Sequence, residues 1–356
     1  MSSAKIDKTK HKVLLMGRSG SGKTSMRTII FADNPNVGVR KMTPTKEAEQ
    51  VHLEFMGNLY LNLWDCGGQS AFMNQYFSSQ NEQIFRNVAV LIYVVDAKAI
   101  STDKKSEEED RTWFEMCIKS LKQHSPSAKT FVLLHKMDLV SNFEQPNVVR
   151  GTVDMLQELA GDHELTCFQS SIWDESLYQA WSRICTYLLP GVEVYRESLN
   201  SLIHAIGARE VVLFESRTFL TLVRESREAD PAEDQQRFER VSTILKHFKI
   251  TCLKMQTSFR EMQICNSEFS AFLWPFTTST VALIIHDRPD EVEMVQANLQ
   301  LARGHFAELE AQVMKVPLPG AHNFDDDDDD EYDDGENGEE GAEGNSSDDE
   351  YDDARD

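Results

Sequence analysis

The sequence contains no run of eighteen consecutive apolar residues, although 40% of its 356 residues are hydrophobic. Because a helix needs about twenty such residues to cross a bilayer, we expect no transmembrane segment. No glycine follows Met1, no cysteine stands near the C-terminus, and no apolar signal segment opens the chain. We therefore expect no direct lipid anchor, and a place at a membrane surface would come from a partner.

Cysteines with the spacing of a metal site or a disulfide framework are also missing. The chain has six cysteines and no C-x-x-C pattern. They are Cys66, Cys117, Cys167, Cys185, Cys252 and Cys265. This scatter is typical of reduced thiols in a cytosolic protein and gives no sign of a zinc site.

Basic residues are the minority, with 36 Lys and Arg against 59 Asp and Glu. Most of the resulting net charge of −23 comes from residues 325–356, which hold 19 acidic side chains and one arginine. The rest of the chain is only mildly acidic and has no basic stripe that would neutralise phosphates, so we expect no nucleic-acid partner. Residues 317–356 have too little apolar surface to build a core and are predicted to be a disordered acidic tail.

One stretch organises the remaining sequence. Residues 17–24 read G-x-x-x-x-G-K-[ST], between the apolar run 13–16 and a helical segment at 25–31. This strand–loop–helix context predicts a phosphate-binding P-loop, whose backbone N–H groups and helix N-terminus face an anion. Lys23 is expected to contact the β- and γ-phosphates and the Thr24 hydroxyl to bind Mg²⁺. The predicted nucleotide-binding residues of this loop are Arg18, Ser19, Gly20, Ser21, Gly22, Lys23 and Thr24.

A second motif follows about forty residues later. Two strand-like segments, 51–55 and 59–64, are separated by a turn and lead into Asp65-Cys66-Gly67-Gly68-Gln69. D-x-x-G-Q at this distance resembles the second switch of small GTPases. That resemblance implies that Asp65 supports Mg²⁺, that a backbone N–H of Gly68 approaches the γ-phosphate, and that Gln69 is the catalytic residue orienting the attacking water.

A third motif would select the base. The apolar run 88–95 predicts a buried parallel strand, and 107–123 predicts an amphipathic helix. The strand-like segment 130–134 then ends at His135-Lys136-Met137-Asp138, which resembles the guanine-selecting N-K-x-D motif with His in the first position. The Asp138 carboxylate would accept hydrogen bonds from the guanine N1–H and exocyclic amine and so disfavour adenine, while Lys136 would lie over the base and brace the P-loop.

The last predicted ligand loop follows the strand-like segment 165–169. Ser171 and Ile172 resemble the backbone segment that contacts guanine in small GTPases, and 175–189 predicts another helix. The alternation of strands and helices predicts an α/β fold with a doubly wound, mostly parallel sheet and ligand loops at the strands' carboxyl ends.

The match is closer than to small GTPases in general. Several strings are similar to those of the Rag/Gtr GTPases, and specifically to the A/B-type (Gtr1-like) subunit. These strings are L-L-M-G before Arg18, W-D-C-G-G-Q at 64–69, H-K-M-D at 135–138, S-I-W-D-E-S-L-Y-Q-A-W at 171–181, L-F-E-S-R-T-F-L at 213–220 and F-E-R-V-S at 238–242. The resemblance extends over roughly residues 11–313.

The first switch departs from that family. The family normally carries Gly-Ala-Thr-Ile-Asp, whereas this chain has Thr43-Pro44-Thr45-Lys46-Glu47. The register against the flanking motifs assigns the Mg²⁺- and γ-phosphate-sensing threonine to Thr45, with Thr43 as a competing candidate. Pro44 biases Thr43 toward extended geometry.

Four segments follow from these patterns and from the resemblance. They are a flexible leader at 1–11, a GTPase domain at 12–190, a roadblock-like α+β dimerisation domain at 191–316 and the acidic tail at 317–356. The elements predicted in the third segment are helices at 195–206, 235–259 and 291–312 and strands at 210–215, 218–224, 262–266, 269–275 and 281–286.

The resemblance implies a molecular switch that binds GTP or GDP with Mg²⁺ and hydrolyses GTP slowly, since no arginine finger is evident in the chain. A GAP would supply one. The implied partners are a C/D-type Rag GTPase in a heterodimer through the C-terminal domain, a membrane-anchored scaffold complex, and the target-of-rapamycin complex 1, which would receive an amino-acid signal. The implied location is cytoplasmic, at the vacuolar or lysosomal surface.

The residues also allow three alternative functions to be compared with this one. A nucleotide-stabilised assembly scaffold is suggested by the unusual first switch, but the presence of Gln69 argues against it. A heterotrimeric-type Gα subunit has no room for its helical insertion between the P-loop and the second switch. An ATPase is disfavoured by Asp138.

Overall fold

The alternation of apolar strands and amphipathic helices produces a six-stranded sheet, as predicted. The computed structural model describes residues 9–31, 49–56, 59–67, 69–189, 191–227, 241, 244–248, 251–252, 255, 261–265, 267, 269–287 and 292–313. Its first six strands are β1 (Thr9–Met16), β2 (Glu49–Met56), β3 (Leu59–Asp65), β4 (Val88–Asp96), β5 (Lys129–His135) and β6 (Leu165–Ser170). They lie in the order β2-β3-β1-β4-β5-β6, and all neighbours are parallel except β2 and β3.

Helices cover both faces of this sheet. They are α1 (Lys23–Phe31), α2 (Ser70–Ser78), α3 (Asn81–Phe85), α4 (Ala97–Thr102), α5 (Lys104–His124), α6 (Gln145–Ala160) and α7 (Ser176–Leu188). Successive residues of a strand point to opposite faces, and β1 shows the consequence. Val13 and Leu15 join the core beneath α1 and α7, while Leu14 and Met16 join the core beneath α5.

The second sheet contains the remaining described strands and is entirely antiparallel. Its strands are β7 (Glu210–Glu215), β8 (Thr221–Ser226), β9 (Met262–Cys265), β10 (Ser270–Pro275) and β11 (Thr280–His286), in the order β8-β7-β11-β10-β9. Helices α8 (Val192–Ile206) and α9 (Val292–Val313) pack on one face. Leu245, from the helical residues 244–248, packs on the other face beside Phe214 and Phe219.

Helix α7 joins the two sheets through one continuous hydrophobic core. The Ser182 hydroxyl accepts a hydrogen bond from the backbone N–H of Thr221 at 3.1 Å, and the Thr186 hydroxyl donates to the carbonyl of Leu222 at 3.2 Å. The described residues all belong to one compact unit, Met1–His322. The domain boundary at 190/191 and the assignment of the second sheet to a roadblock-like domain stay predictions.

Several predicted boundaries shift for local reasons. The strand predicted at 218–224 begins only at Thr221, because the Glu215 carboxylate accepts the backbone N–H groups of Arg217 and Thr218 and so extends the turn. Helix α5 begins three residues before the predicted start, where Asp103 accepts backbone N–H groups of its first turn. Helix α8 likewise begins at Val192 rather than at 195.

Other predictions fall partly or wholly outside the described residues. Strand β1 begins at Thr9, inside the segment predicted as a leader. The helix predicted at 235–259 is described only at its helical residues 241, 244–248 and 251–252 and at residue 255. The acidic tail lies outside the described residues. No helix within the described part of the chain is long and apolar enough to cross a bilayer.

Candidate nucleotide-binding site

The loop between β1 and α1 adopts a conformation that needs glycine at two points. Gly17 has a φ of +139°, and a Cβ atom built on it would stand 2.2 Å from the carbonyl oxygen of Val94 in β4. Gly22 has a φ of +104°, and its Cβ would stand 2.6 Å from the ring of His135. Only glycine fits such close approach in this region of backbone space. The loop is therefore held tightly against the ends of β4 and β5.

Lys23 is fixed by the loop that it follows. Its ammonium donates to the carbonyl oxygens of Gly17 at 2.7 Å and Arg18 at 2.9 Å. Burial lowers the pKa of Lys23 to about 8, against the opposing charge of Asp65. An ammonium has three N–H donors, so the two bonds seen among the described residues leave one donor for an anion in the loop.

Asp65, at the end of β3, provides the carboxylate predicted to support a cation. It is fully buried, and neither carboxyl oxygen has a well-formed hydrogen bond from the residues that the structure describes. Burial raises its pKa, opposed by the nearby Thr24 hydroxyl and by Arg27, whose Nε lies 3.5 Å from Oδ2. A buried carboxylate beside a hydroxyl fits a hard cation such as Mg²⁺.

No cluster of three or more His, Cys, Asp or Glu suited to a metal occurs in the described ranges. That finding agrees with the way Mg²⁺ is usually held, by one or two protein groups together with substrate phosphates. The predicted third metal-site residue, Thr45, lies outside the described residues. Thr24 and Asp65 are therefore the two predicted metal-site residues that the structure brings together.

The second switch leaves β3 and enters α2. Gln69 precedes that helix with an exposed side chain, and its carbonyl accepts the N–H of Met73 at 3.0 Å. The N–H of Gly67 donates to the buried Tyr76 hydroxyl at 3.1 Å, which ties the loop to α2. Gly68 lies outside the described residues. The structure thus presents Gln69 toward solvent at the edge that carries the P-loop.

The remaining P-loop side chains have different surroundings. Ser19 and Gly20 are exposed, and the backbone N–H of Ser21 donates to the carbonyl of Arg18 at 3.2 Å. Ser21 is buried, with a hydroxyl that has no hydrogen-bond partner in the described part of the chain. Arg18 turns away from the loop, and its Nε lies 3.0 Å from Oε2 of Glu109 in α5.

His135 lies beneath the P-loop. It is buried, its Nδ1 lies 3.0 Å from the Ser170 hydroxyl, and its ring touches Gly22. Burial, with a smaller contribution from the Lys136 charge, lowers its pKa to about 4. The imidazole is therefore neutral at pH 7. Its ring packs against Gly22 and so fixes the distance between the P-loop and the end of β5.

Lys136 connects the base motif to the P-loop. It adopts a left-handed conformation with a φ of 62°, and its ammonium donates to the carbonyl of Gly20 and to Oδ2 of Asp96, both at 2.6 Å. Asp96 ends β4 and caps α4 by accepting the N–H of Ala99. Asp96 is absent from the sequence prediction, although an aspartate between a buried strand and a helix is an N-cap signal.

The base end of the site is assembled by the loops after β5 and β6. Oδ1 of the exposed Asp138 accepts a hydrogen bond from the Ser171 hydroxyl at 2.7 Å. Ser171 is buried, its hydroxyl accepts the N–H of Trp173, and its own N–H donates to Ser176. Ile172 beside it is half-buried against the core. The Ser171 hydroxyl thus fixes the orientation of the Asp138 carboxylate.

These loops all leave the carboxyl ends of β1, β3, β4, β5 and β6, the edge at which open α/β sheets bind ligands. One end of this edge offers a P-loop, a lysine and a buried carboxylate. The other offers a fixed carboxylate and a short backbone loop. The arrangement suits a nucleotide whose phosphates occupy the first end and whose base offers hydrogen-bond donors to the second.

Comparison with known proteins agrees with this arrangement. A family model described as the Gtr1/RagA G protein conserved region matches residues 12–245. The GTP-binding protein gtr1 of Schizosaccharomyces pombe is 44% identical over 293 residues, which cover 82% of this chain and 94% of that protein. The Ras-related GTP-binding protein A of Dictyostelium discoideum is 42% identical over 298 residues, 83% of this chain and 97% of that protein. The Ras-related GTP-binding protein C of Mus musculus is more distant, at 25% over 240 residues, 63% of this chain and 56% of that protein.

Proposed function

The chain belongs to the Gtr1/RagA family of P-loop GTPases, and on that basis we propose that it is a guanine-nucleotide switch that pairs with a C/D-type Rag GTPase and signals amino-acid sufficiency to the target-of-rapamycin complex 1. The observation that carries the proposal is the hydrogen bond from Ser171 to Asp138, together with the hydrogen bond from Lys136 to the Gly20 carbonyl of the P-loop. The first bond fixes a carboxylate suited to guanine, and the second connects the motif that carries this carboxylate to the P-loop at the same edge of the sheet.

Mg²⁺ fits beside Thr24 and Asp65, with Thr45 as a further ligand. When bound, it neutralises negative charge on the β- and γ-phosphates. The γ-phosphate would order the loops that carry Thr45 and Gln69, and its loss on hydrolysis would release them. Gln69 orients a water whose oxygen bonds to the γ-phosphorus as the bond from that phosphorus to the bridging oxygen breaks, and the products are GDP, inorganic phosphate and a proton released to solvent.

Unaided hydrolysis is slow in this proposal. Of the arginines that the structure describes beside the phosphate site, Arg18 is engaged by Glu109, and Arg27 by Glu49 at 2.7 Å as well as by Asp65. Both guanidinium groups are held by acidic side chains, so neither serves as an arginine finger. A GAP that supplies one typically raises such rates on the order of 10⁵-fold.

The second sheet supports the proposed pairing. Strand β9 has β10 as its one neighbour in the described sheet and exposes Ile264, whose exposed fraction is 52%. Nearby in the sequence, Ile244, Phe248 and Met255 are also exposed. An exposed apolar edge strand is a template for pairing with another chain. We assign this edge to the C/D-type partner, and we place the pair at the vacuolar or lysosomal surface through a membrane-anchored scaffold complex.

The test is to co-express the chain with a C/D-type Rag subunit, purify the pair and measure single-turnover GTP hydrolysis with and without a GAP. We expect a stable pair whose GAP-stimulated rate falls by on the order of 100-fold in Gln69→Leu, since misplacing a reactant costs about that much. Gln75→Leu, at an exposed position of α2, is the matched control and should hydrolyse normally.

The alternative is a nucleotide-stabilised scaffold whose hydrolysis is irrelevant. It predicts a stable pair that a GAP does not accelerate and in which Gln69→Leu changes nothing. That result would overturn the switch and leave the pairing intact. A chain that binds GTP but stays monomeric would overturn the pairing.

A further inference from the structure

The side chain of Arg18 extends from the P-loop to helix α5, where it lies beside two acidic side chains. Its Nε lies 3.0 Å from Oε2 of Glu109, and its NH1 lies 3.8 Å from Oδ2 of Asp110. Glu109 is partly exposed, whereas Asp110 is fully buried. One guanidinium group thus spans from solvent to the interior, with a carboxylate at each end.

Asp110 is fixed from below by β4. The Tyr93 hydroxyl lies 3.2 Å from both Oδ1 and the backbone carbonyl of Asp110, and the Tyr93 ring packs edge-on against Phe114 one turn further along α5. The other carboxyl oxygen, Oδ2, has no hydrogen bond within the described residues and faces NH1 of Arg18. A buried carboxylate is costly unless an opposite charge accompanies it. The position of Arg18 therefore matters to the folded state of α5.

The backbone of Arg18 is held as well. Its carbonyl accepts a bond from Lys23 at 2.9 Å and another from the N–H of Ser21 at 3.2 Å. Arg18 is thus held at its carbonyl by the phosphate-site lysine and at its side chain by α5. A shift of α5 would move the loop that receives the phosphates.

We propose that Asp110 and Glu109 are positioning residues for the phosphate site, which hold the P-loop through Arg18 and so slow the release of bound guanine nucleotide. The inference rests on the GTPase function proposed above. It adds that the contacts of α5 with Arg18 influence the rate of nucleotide exchange. Neither residue belongs to the sequence motifs of the site, and both contact the P-loop through the side chain of Arg18.

A purely electrostatic effect of Asp110→Asn on nucleotide release would have the opposite sign. Removing a negative charge near Lys23 raises the positive potential at the phosphates and should slow release. Losing a positioning contact should speed it. The sign of the change in Asp110→Asn, which keeps the shape and a hydrogen-bond acceptor for Tyr93, therefore separates the two effects.

The experiment measures release of a fluorescent GDP analogue from the full-length chain in the presence of excess GDP. We expect Asp110→Asn to release it about tenfold faster, below the roughly 100-fold that a 1 Å misplacement can cost. Tyr93→Phe and Glu109→Gln should change the rate in the same direction. Glu108→Gln removes the same charge from an exposed position of α5 and should release at the wild-type rate.

A second experiment tests whether Asp110 affects nucleotide release through Arg18. If α5 acts through Arg18, then Arg18→Met with Asp110→Asn should release no faster than Arg18→Met alone. Unchanged or slower release from both Asp110→Asn and Glu109→Gln would overturn the inference while the GTPase function stands. A wild-type chain that binds no guanine nucleotide would overturn both.

A pH profile adds a readout that a purely structural role would not change. Burial raises the pKa of Asp110 to about 7, with Arg18 and the Tyr93 hydroxyl opposing, Asp96 reinforcing and Lys23 opposing. Release from the wild type should accelerate between about pH 8 and about pH 6 as Asp110 becomes protonated. Asp110→Asn should lack that component, and identical profiles for the two proteins would contradict the proposal.

Discussion

The ring of His135 lies against the backbone of Gly22 so closely that a Cβ atom there would stand 2.6 Å from Cδ2 and 2.9 Å from Nε2. The next residue, Lys136, binds the carbonyl of Gly20 in the same loop. Two consecutive residues of the base motif thus hold the phosphate loop, His135 by packing against Gly22 and Lys136 by its hydrogen bond to Gly20. The motif predicted to select the base and the loop predicted to hold the phosphates therefore form one packed unit.

Gly22→Ala should abolish measurable GTP binding, since its methyl group would clash with the His135 ring. Adding His135→Ala should restore binding only in part, because a residue with φ of +104° still carries strain on the order of 1–3 kcal/mol. Titration with a fluorescent GTP analogue measures both. Gly151→Ala, where a Cβ meets nothing within 4 Å, is the control. Full restoration in the double variant would show that the clash alone matters.

Ser171→Ala should weaken GTP binding by about tenfold. Its hydroxyl donates to Asp138 at 2.7 Å, and a hydrogen bond to a charged group contributes about 1.5–3 kcal/mol, part of which water replaces at an exposed carboxylate. Calorimetric titration with GTP gives the dissociation constant. Ser101→Ala, on the exposed side of α4, should leave it unchanged. Equal constants for all three proteins would mean that Asp138 needs no help to keep its orientation.

The site could be predicted where chemistry requires a particular residue type at a particular spacing. The P-loop glycines and Lys23 follow β1, Asp65 ends β3 and Asp138 follows β5, and they meet because parallel strands bring their carboxyl ends to one edge. The apolar run at 88–95 became the buried strand β4 for the same reason that it was predicted, since both of its faces are covered.

The contact of Lys136 with the P-loop was predicted with its motif, but the other contacts that join these motifs could not be predicted in the same way. Asp96 contacts Lys136, and Asp110 faces Arg18, across 40 and 92 positions of sequence. Such pairings depend on the packing of α4 and α5, which no local pattern specifies. Helix α6 is absent from the sequence prediction although Pro146 in its first turn is a start signal. The strand predicted at 218–224 begins three residues later, at Thr221, because the turn before it depends on hydrogen bonds to the Glu215 side chain that the apolar pattern of the sequence does not indicate.

Acid should destabilise the fold through its buried histidines. Burial lowers the pKa of His11 and His135 to about 4, below the ordinary value of 6.5. Between those values the unfolded chain binds protons that the native chain does not, so stability is full above about pH 6.5 and falls as the pH drops toward 4. At about 1.4 kcal/mol per pKa unit, each histidine can contribute up to about 3 kcal/mol.

His135→Asn should therefore lose less stability than the wild type between about pH 7 and about pH 5. Asp110, with its raised pKa, acts in the opposite direction, but equally in both proteins, so the difference isolates His135. Urea unfolding at each pH measures it. His204→Asn, at an exposed position of α8, should show the wild-type loss. An equal loss in His135→Asn would assign the acid sensitivity elsewhere.

Lys246 connects the second sheet's helical residues to the P-loop helix. It is buried, its ammonium donates to the carbonyls of Ile29 and Ile30 in the last turn of α1, and it lies 6.0 Å from the Tyr178 ring. A cation at a helix C-terminus complements the negative end of the helix dipole and bonds its otherwise unpaired carbonyls. The contact thus fixes the end of α1 opposite the phosphate site.

Lys246→Met keeps the length of the side chain and removes the charge, so it should lower the free energy of unfolding by about 2–3 kcal/mol, the value of bonds to a buried charged group. Lys119→Met, at an exposed position of α5, should change it by less than about 0.5 kcal/mol, as surface substitutions do. Urea unfolding of the three proteins gives the comparison. If the two variants are equally stable, solvent replaces the Lys246 contacts at no cost, and α1 is held by its apolar face alone, through Met26 and Ile30 in the core beneath α7.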